Sequence, residues 1–256
     1  MTFGNLPRLA QRHYADRLSS TDGRREVMPI IPRGPWPALL ALMLALMPSS
    51  PTLAGETCPP PGSFAPPPTV AFSSLISEPV YSGEKTRDII TRISGLRSAN
   101  PNMFTMGLTR SLTELSLNVQ TWQVPMGNGR LCVGLSRVEA TWRISGLIVD
   151  IASNYSPGGC NYRIIRDHED QHVAIHRTTF REWAPRAEAV LRQAAQGVQP
   201  TITQGVAAPV AAAIRQSLTQ RLDPIFDKYR ADLTVRNAAI DTPENYARTA
   251  ALCPRW

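Results

Sequence analysis

Apolar and polar residues alternate along the middle of the chain, between residues 70 and 150. The alternation is clear over residues 115–119, it returns over residues 131–144, and residues 147–151 form a third apolar run. A period of two is that of a half-buried β-strand, and the Gly-Asn-Gly sequence at 127–129 supplies turn residues between the first two runs. The pattern predicts an antiparallel β-meander with one buried face, and β-bulges where the alternation slips by one residue.

Apolar residues have helical spacing on both sides of these strands. Residues 84–96 place four apolar side chains on one face of a short helix. After the strands, helical patterns cover residues 161–196, with a kink or an end at Pro185, and then residues 206–235. A capping box at residues 241–244 opens a last short helix. The predicted fold class is therefore α+β, with an N-terminal helix and an antiparallel β-meander packed against C-terminal helices.

The first 54 residues are predicted to lie outside this fold. Residues 36–47 read WPALLALMLALM, an uncharged run that follows Arg33, and Thr52 and Ala54 stand where a signal peptidase requires small residues. This is the layout of a secretory signal peptide. A helix of that length reaches about 18 Å, too short for a hydrocarbon core of roughly 30 Å. An inner-membrane anchor formed by residues 36–54 is the alternative.

Three segments follow from this assignment. Residues 1–54 form an N-terminal extension and signal peptide, whose true start we place at Met28 because a compact basic segment follows it. Residues 55–69 form a tether rich in proline, and residues 70–256 form a single folded domain. The protein is therefore expected to be exported to the periplasm or the extracellular space.

Composition and charge narrow the class of protein further. With 43% hydrophobic and 18% charged residues, the chain is not of the disordered class. The formal charge of +7 falls to +4 once residues 1–54 are removed, and the arginines are dispersed, so we expect no nucleic-acid partner. An even number of cysteines in an exported chain predicts two disulfides, whose pairing stays open. The four are Cys58, Cys132, Cys160 and Cys253.

The candidate chemistry lies in one stretch of the first long helix. Residues 168–172 read HEDQH, which is the HExxH pattern, and every histidine after residue 54 falls within residues 168–176. Residues four apart lie above one another on a helix, so His168 and His172 can bind one Zn²⁺. Glu169 is rotated towards the open coordination position, where it can act as the general base.

These residues resemble zincin-type metallopeptidases, and among them a bacterial family of predicted secreted zinc-dependent proteases. The resemblance covers residues 81–246 and rests on YSGEKT at 81–86, GLT at 107–109, Cys132, and CNY at 160–162 leading into HEDQH. It implies that His168 and His172 are zinc ligands and that Glu169 is the general base. It implies no particular substrate.

The third protein ligand is left open by the sequence. On a straight helix, His176 stands about 12 Å along the axis from His168, so it should miss the metal and lie beside the site or contact the substrate. Glu182 fails for the same reason. An acid from an antiparallel helix fits better, with a slight preference for the first two candidates. The candidates are Asp232, Asp227, Asp223 and Glu188.

Two classes of function remain open. The first is an exported zinc-dependent hydrolase, most simply a peptidase acting on a peptide or protein, with non-peptide amides as a weaker variant. The second is a non-catalytic exported module for metal binding or envelope interaction, with an incomplete HExxH site. A membrane is expected as partner only through an uncleaved signal segment, and the oligomeric state stays open.

Overall fold

The structure is a computed structural model of the 256-residue chain, and it describes residues 57–58, 60, 63, 65–95 and 104–256. The predicted signal segment of residues 1–54, with its start at Met28 and its anchor alternative at 36–54, lies outside the described residues. Residues 65–68 of the predicted tether have no helix or strand, and they lead directly into the first strand at Thr69.

The described strands form one mixed sheet around a single long central strand. They are β1 (Thr69–Ile76), β2 (Pro79–Ser82), β3 (Gly107–Gly127), β4 (Arg130–Ile151) and β5 (Thr201–Gln204). β3 runs antiparallel to β4 along nearly its whole length. β1 and β2 pair with the other edge of β4 and run parallel to it, and β5 pairs antiparallel with the first residues of β4.

The predicted antiparallel meander is wrong. The path β1–β4–β2 is parallel throughout, and residues 147–151 are the end of β4 rather than a separate strand. The alternation of apolar and polar residues reports which face of a strand is buried, but it carries no information on strand direction. The α+β content was predicted correctly, whereas the strand topology was not.

The β3–β4 hairpin follows its sequence pattern more closely. Its turn uses Asn128 and Gly129 with positive φ angles of 52° and 70°, as the Gly-Asn-Gly sequence predicts. One register shift falls between Gln120 and Thr121, where the alternation slips, so the predicted bulge is confirmed there.

The described helices are α1 (Arg87–Ser94), α2 (Cys160–Gln196), α3 (Ala208–Ile240) and α4 (Pro243–Ala250). α2 does not end at Pro185 but continues through it for another eleven residues. A proline removes one backbone hydrogen bond from a helix. Here the buried side chains of Trp183, Ala187 and Leu191 lie on both sides of Pro185, and their packing on the core keeps the helix continuous.

The two long helices run antiparallel and pack on the inward face of the sheet. Trp142 of β4 lies at the centre of this contact, with ring centroids 4.6 Å from Phe180 of α2 and 5.1 Å from Tyr229 of α3. The antiparallel direction brings the beginning of α2 next to the end of α3. The site is built at that end.

Two disulfides close the fold, joining Cys58 to Cys132 and Cys160 to Cys253. They indicate an oxidising environment, as expected for an exported protein. The second disulfide fixes the C-terminal residues to the start of α2. Among the described residues, every helix is too short or too polar to cross a membrane.

Candidate metal centre

The beginning of α2 presents three buried side chains of the HEDQH sequence. His168, Glu169 and His172 are each at most 2% exposed, although the residues between them on the outer face of the helix are not buried. The two imidazole rings lie one helical turn apart with centroids 4.8 Å from one another, and their Nε2 atoms are 3.1 Å apart. The helix therefore points both Nε2 atoms at the same small volume, as the spacing predicts.

A carboxylate from the other end of the chain enters that volume. Asp241 lies between the end of α3 and the start of α4, and its Oδ1 atom is 3.1 Å from Nε2 of His168 and 3.2 Å from Nε2 of His172. Thr242, which follows it, caps α4 by accepting a hydrogen bond from the backbone N–H of Asn245. The cap turns the chain sharply and leaves the Asp241 side chain directed at the two histidines.

These three side chains form a group that could bind a metal ion. Their ligand atoms make a nearly equilateral triangle with edges of 3.1 to 3.2 Å. Ligand atoms about 2.0 to 2.1 Å from a tetrahedral metal are about 3.3 to 3.4 Å apart, so the triangle has nearly the size of one face of such a tetrahedron. Two nitrogens and one carboxylate oxygen also match the donors that zinc and other first-row divalent metals accept.

Comparison with protein-family models, with curated proteins and with solved structures finds no match to this chain.

The His172 ring is held from its far side by α3. Its Nδ1 atom lies 2.8 Å from Oδ1 of Asn237, which is 2% exposed, and the amide nitrogen of Asn237 donates to the carbonyl of Leu233 at 2.8 Å. Hydrogen bonds of this kind to the second ring nitrogen orient a histidine for metal binding.

Asp241 is held in the same manner by α4. The Tyr246 hydroxyl donates to Asp241 Oδ1 at 2.7 Å, and the Tyr246 ring packs against His168 with centroids 5.6 Å apart. Burial works to raise the pKa of the Asp241 carboxyl, but the hydrogen bonds with His168, His172 and Tyr246 outweigh it and lower the pKa to about 2. The carboxyl is therefore ionised at any pH at which the protein is expected to work.

Glu169 lies on the side of α2 that faces β3. Its Oε2 atom accepts a hydrogen bond of 2.7 Å from the Thr109 hydroxyl, and its side chain occupies the space that a β-carbon would fill at Gly107. Burial raises the pKa of Glu169, although the neighbouring His172 and His168 and the Thr109 hydrogen bond act in the opposite direction. Gly107 and Thr109 thus fix a carboxyl whose affinity for a proton is higher than usual.

The sequence candidates for the third ligand lie elsewhere. Asp232 accepts hydrogen bonds from Trp183 and Arg236, and Glu182 pairs with the same arginine. Asp227 pairs with Arg230, Glu188 pairs with Arg192, and Asp223 is exposed. Within the described part of the chain, the group that could bind a metal contains Asp241 and none of these four candidates, and Glu182 had already been excluded on the sequence.

His176 is buried at 1% exposure, one turn beyond His172. It is not a member of the group formed by His168, His172 and Asp241. This agrees with the axial distance along the helix, which places it too far from the first histidine.

Sequence reasoning missed Asp241 because it placed this residue at the start of a capping box over residues 241–244, whereas the N-cap of α4 is Thr242. The sequence does hold one relevant signal, since two long helices that follow one another and pack antiparallel place the start of the first beside the end of the second. In that register a carboxylate between the end of α3 and the start of α4 is better placed than one in the middle of α3.

Proposed function

We propose that the protein is an exported zinc-dependent hydrolase whose substrate is a peptide or protein. The observation that carries the proposal is the convergence of His168 Nε2, His172 Nε2 and Asp241 Oδ1 within 3.2 Å of one another, next to a buried glutamate. The non-catalytic alternative assumed that the HExxH site lacks a third protein ligand. Asp241 supplies a third ligand atom, which makes that alternative weaker.

Zinc fits this donor set better than harder cations. Calcium and magnesium prefer six or more oxygen ligands, whereas the site offers two imidazole nitrogens and one carboxylate oxygen. Three protein ligands also leave a fourth tetrahedral position open, which is the arrangement of catalytic rather than structural zinc sites. When bound, zinc supplies Lewis acidity, which makes a water molecule acidic enough to lose a proton near neutral pH.

Glu169 is the residue to which we assign the proton transfer. It takes a proton from the attacking water and later returns it to the leaving amine, so it serves first as general base and then as general acid. Its raised pKa suits both steps, because a carboxyl with an ordinary pKa would return the proton to an amine less readily. Thr109 orients the carboxylate through its hydrogen bond to Oε2.

Export is proposed together with the enzymatic function. The two disulfides support an oxidising compartment, and cleavage after Ala54 accounts for the apolar run of residues 36–47. N-terminal sequencing of the exported protein tests this. A mature chain that still contains residues 36–47 would favour the membrane-anchor alternative.

The central experiment compares two variants of neighbouring acids. The purified protein is analysed for zinc and incubated with a peptide library whose cleavage is read by mass spectrometry. Glu169→Gln should bind one equivalent of zinc and lose hydrolysis by at least about a hundredfold, as expected for the loss of a general base. Asp167→Asn is the matched control, because Asp167 is an exposed acid of the same helix and should keep both properties.

The same experiment separates the proposal from its alternatives. A protein that binds zinc but cleaves no member of the library supports a metal-binding module, and cleavage of non-peptide amides alone would place the substrate outside peptides. A fully active Glu169→Gln would remove the proposed mechanism.

A further inference from the structure

Asn237 occupies a place where an amide is unusual, in the buried interface between two long helices. It is 2% exposed and lies on α3, opposite His172 of α2. Its side-chain nitrogen is 2.8 Å from the carbonyl oxygen of Leu233, an atom that can only accept. The orientation of the amide follows from this contact, because the nitrogen must face Leu233 and the oxygen must therefore face His172.

An amide oxygen can only accept a hydrogen bond, so the 2.8 Å contact requires a proton on Nδ1 of His172. The neutral imidazole then carries its lone pair on Nε2, the atom that faces Asp241 and His168. When the ring is protonated, both nitrogens carry a proton, so that Nδ1–H donates to Asn237 and Nε2–H donates to Oδ1 of Asp241. We infer that Asn237 is a positioning residue, which holds His172 in the Nδ1–H tautomer and so prepares Nε2 as a ligand before any metal arrives. The inference rests on the proposed metal site.

The other histidine ligand lacks such a support. Within the described part of the chain, Nδ1 of His168 is buried and has no hydrogen-bond partner. The two ligands are thus unequal, since the protein sets the tautomer of His172 through α3 and leaves that of His168 to be set by other contacts. His172 and Asp241 are the prepared pair, held by Asn237 and Tyr246 respectively.

The choice of an amide over a carboxylate at this position has an electrostatic reason. Asp241 already brings one negative charge to the site, and the buried Glu169 brings a second when its carboxyl is ionised to act as a base; together they balance one divalent cation. A third carboxylate would leave a net negative charge in a medium of low dielectric constant, which is unfavourable. Asn237 gives His172 the acceptor that it needs without adding a charge.

The test begins with metal-free wild-type protein labelled with ¹⁵N, at an alkaline pH where imidazoles are neutral. Long-range ¹H–¹⁵N correlation spectra distinguish the two tautomers of each histidine, and His172 is assigned by its absence from a His172→Gln variant. His172 is expected as the Nδ1–H tautomer. An Nε2–H tautomer in this wild-type spectrum would overturn the inference, whatever the variants do.

Two substitutions then isolate the amide oxygen. Asn237→Leu keeps the approximate shape and removes the acceptor, so the tautomer should become mixed and zinc affinity should fall by about 10- to 100-fold, the usual effect of losing such a partner. Asn237→Asp keeps an acceptor and should restore the Nδ1–H tautomer. A folded Asn237→Leu protein with an unchanged tautomer and unchanged zinc affinity would also overturn the inference.

These results separate the positioning role from the enzymatic proposal. If His172 shows the expected tautomer and responds to Asn237→Leu, but the wild type hydrolyses no substrate, the positioning role stands and the enzymatic function fails. If zinc binding and hydrolysis are present while the tautomer is independent of position 237, the enzymatic function stands and the positioning role fails.

Discussion

Oδ1 of Asp241 lies 3.1 Å from Nε2 of His168, although 73 residues separate the two in the chain. The contact exists because α2 and α3 run antiparallel, which brings the beginning of one beside the end of the other. It changes the interpretation of the HEDQH sequence, because His168 and His172 supply two ligand atoms of a group whose third ligand atom belongs to Asp241.

Asp241 is expected to be required for metal binding. Asp241→Asn removes the charge of the third ligand with little change in size, and zinc affinity should fall by more than about a hundredfold, exceeding the effect of losing a supporting hydrogen bond. Isothermal titration with zinc measures this. Asp232→Asn, at the acid favoured by the sequence, is the control and should bind zinc as the wild type does, because Asp232 contacts Trp183 and Arg236 instead.

A side chain at Gly107 is expected to disturb Glu169 without disturbing the metal ligands. A β-carbon there would lie 2.7 Å from Cγ and 2.8 Å from Cδ of Glu169, closer than real contacts allow. Gly107→Ala should therefore displace the carboxylate and lower hydrolysis by about a hundredfold, the scale of a misplacement near 1 Å. Zinc affinity should remain near that of the wild type.

Gly83→Ala is the matched control for this substitution, because nothing lies within 4 Å of a β-carbon at that position. Both variants are compared by the rate of peptide cleavage and by zinc titration. Equal cleavage rates for the two variants would contradict the placement of Glu169 against β3.

The sequence determines the ligand pair but not the third ligand, and the reason is physical. His168 and His172 are related by the geometry of a single helix, which local spacing encodes fully. Asp241 reaches them only through the packing of α3 on α2, and no local pattern encodes that relation. The same distinction holds for the fold, where the β3–β4 turn follows from Asn128 and Gly129 but the parallel pairing of β1 with β4 does not.

Zinc binding is expected to weaken as the pH falls below the pKa of His172. Burial works to lower the pKa of His172 in the metal-free protein, but the hydrogen bond with Asp241 and the charges of Glu169 and Asp241 outweigh it, and the pKa is raised above 6.5. A protonated imidazole cannot bind metal, so protons compete with zinc below that raised pKa. Asp241, with a pKa of about 2, does not contribute to this change.

Thermal unfolding with and without zinc, from about pH 8.5 to about pH 5.5, measures the competition through the metal-induced shift in Tm. The sign is opposite for the metal-free protein. A raised pKa means that protonated His172 stabilises the fold at acidic pH, and this contribution is lost as the pH rises through the raised value. Acidification should therefore reduce the zinc-induced shift in Tm for two reasons. Protons compete with zinc for His172, and the metal-free protein gains stability from the protonated His172. A shift that stays constant over this range would contradict the role of His172 as a ligand.

The Cys160–Cys253 disulfide is expected to support the metal centre, whereas the Cys58–Cys132 disulfide is not. Cys160 begins α2, eight residues before His168, and Cys253 follows α4, which carries Tyr246. The bond thus closes the segment that contains Asp241 onto the helix that contains the two histidines. Cys132 lies near the start of β4, whereas Thr109 beside Glu169 pairs with Val149 near the end of that strand.

Replacing both cysteines of one disulfide by serine tests this difference. Loss of either bond should lower the free energy of unfolding by about 2 to 5 kcal/mol, measured by denaturant titration. Only the Cys160→Ser, Cys253→Ser protein should also lose zinc affinity, because α4 then holds Asp241 less firmly against His168 and His172. The Cys58→Ser, Cys132→Ser protein is the control for a general loss of stability. Equal zinc affinities in the two folded double variants would show that the contacts of Asp241 with Tyr246 and the histidines are sufficient to place the third ligand.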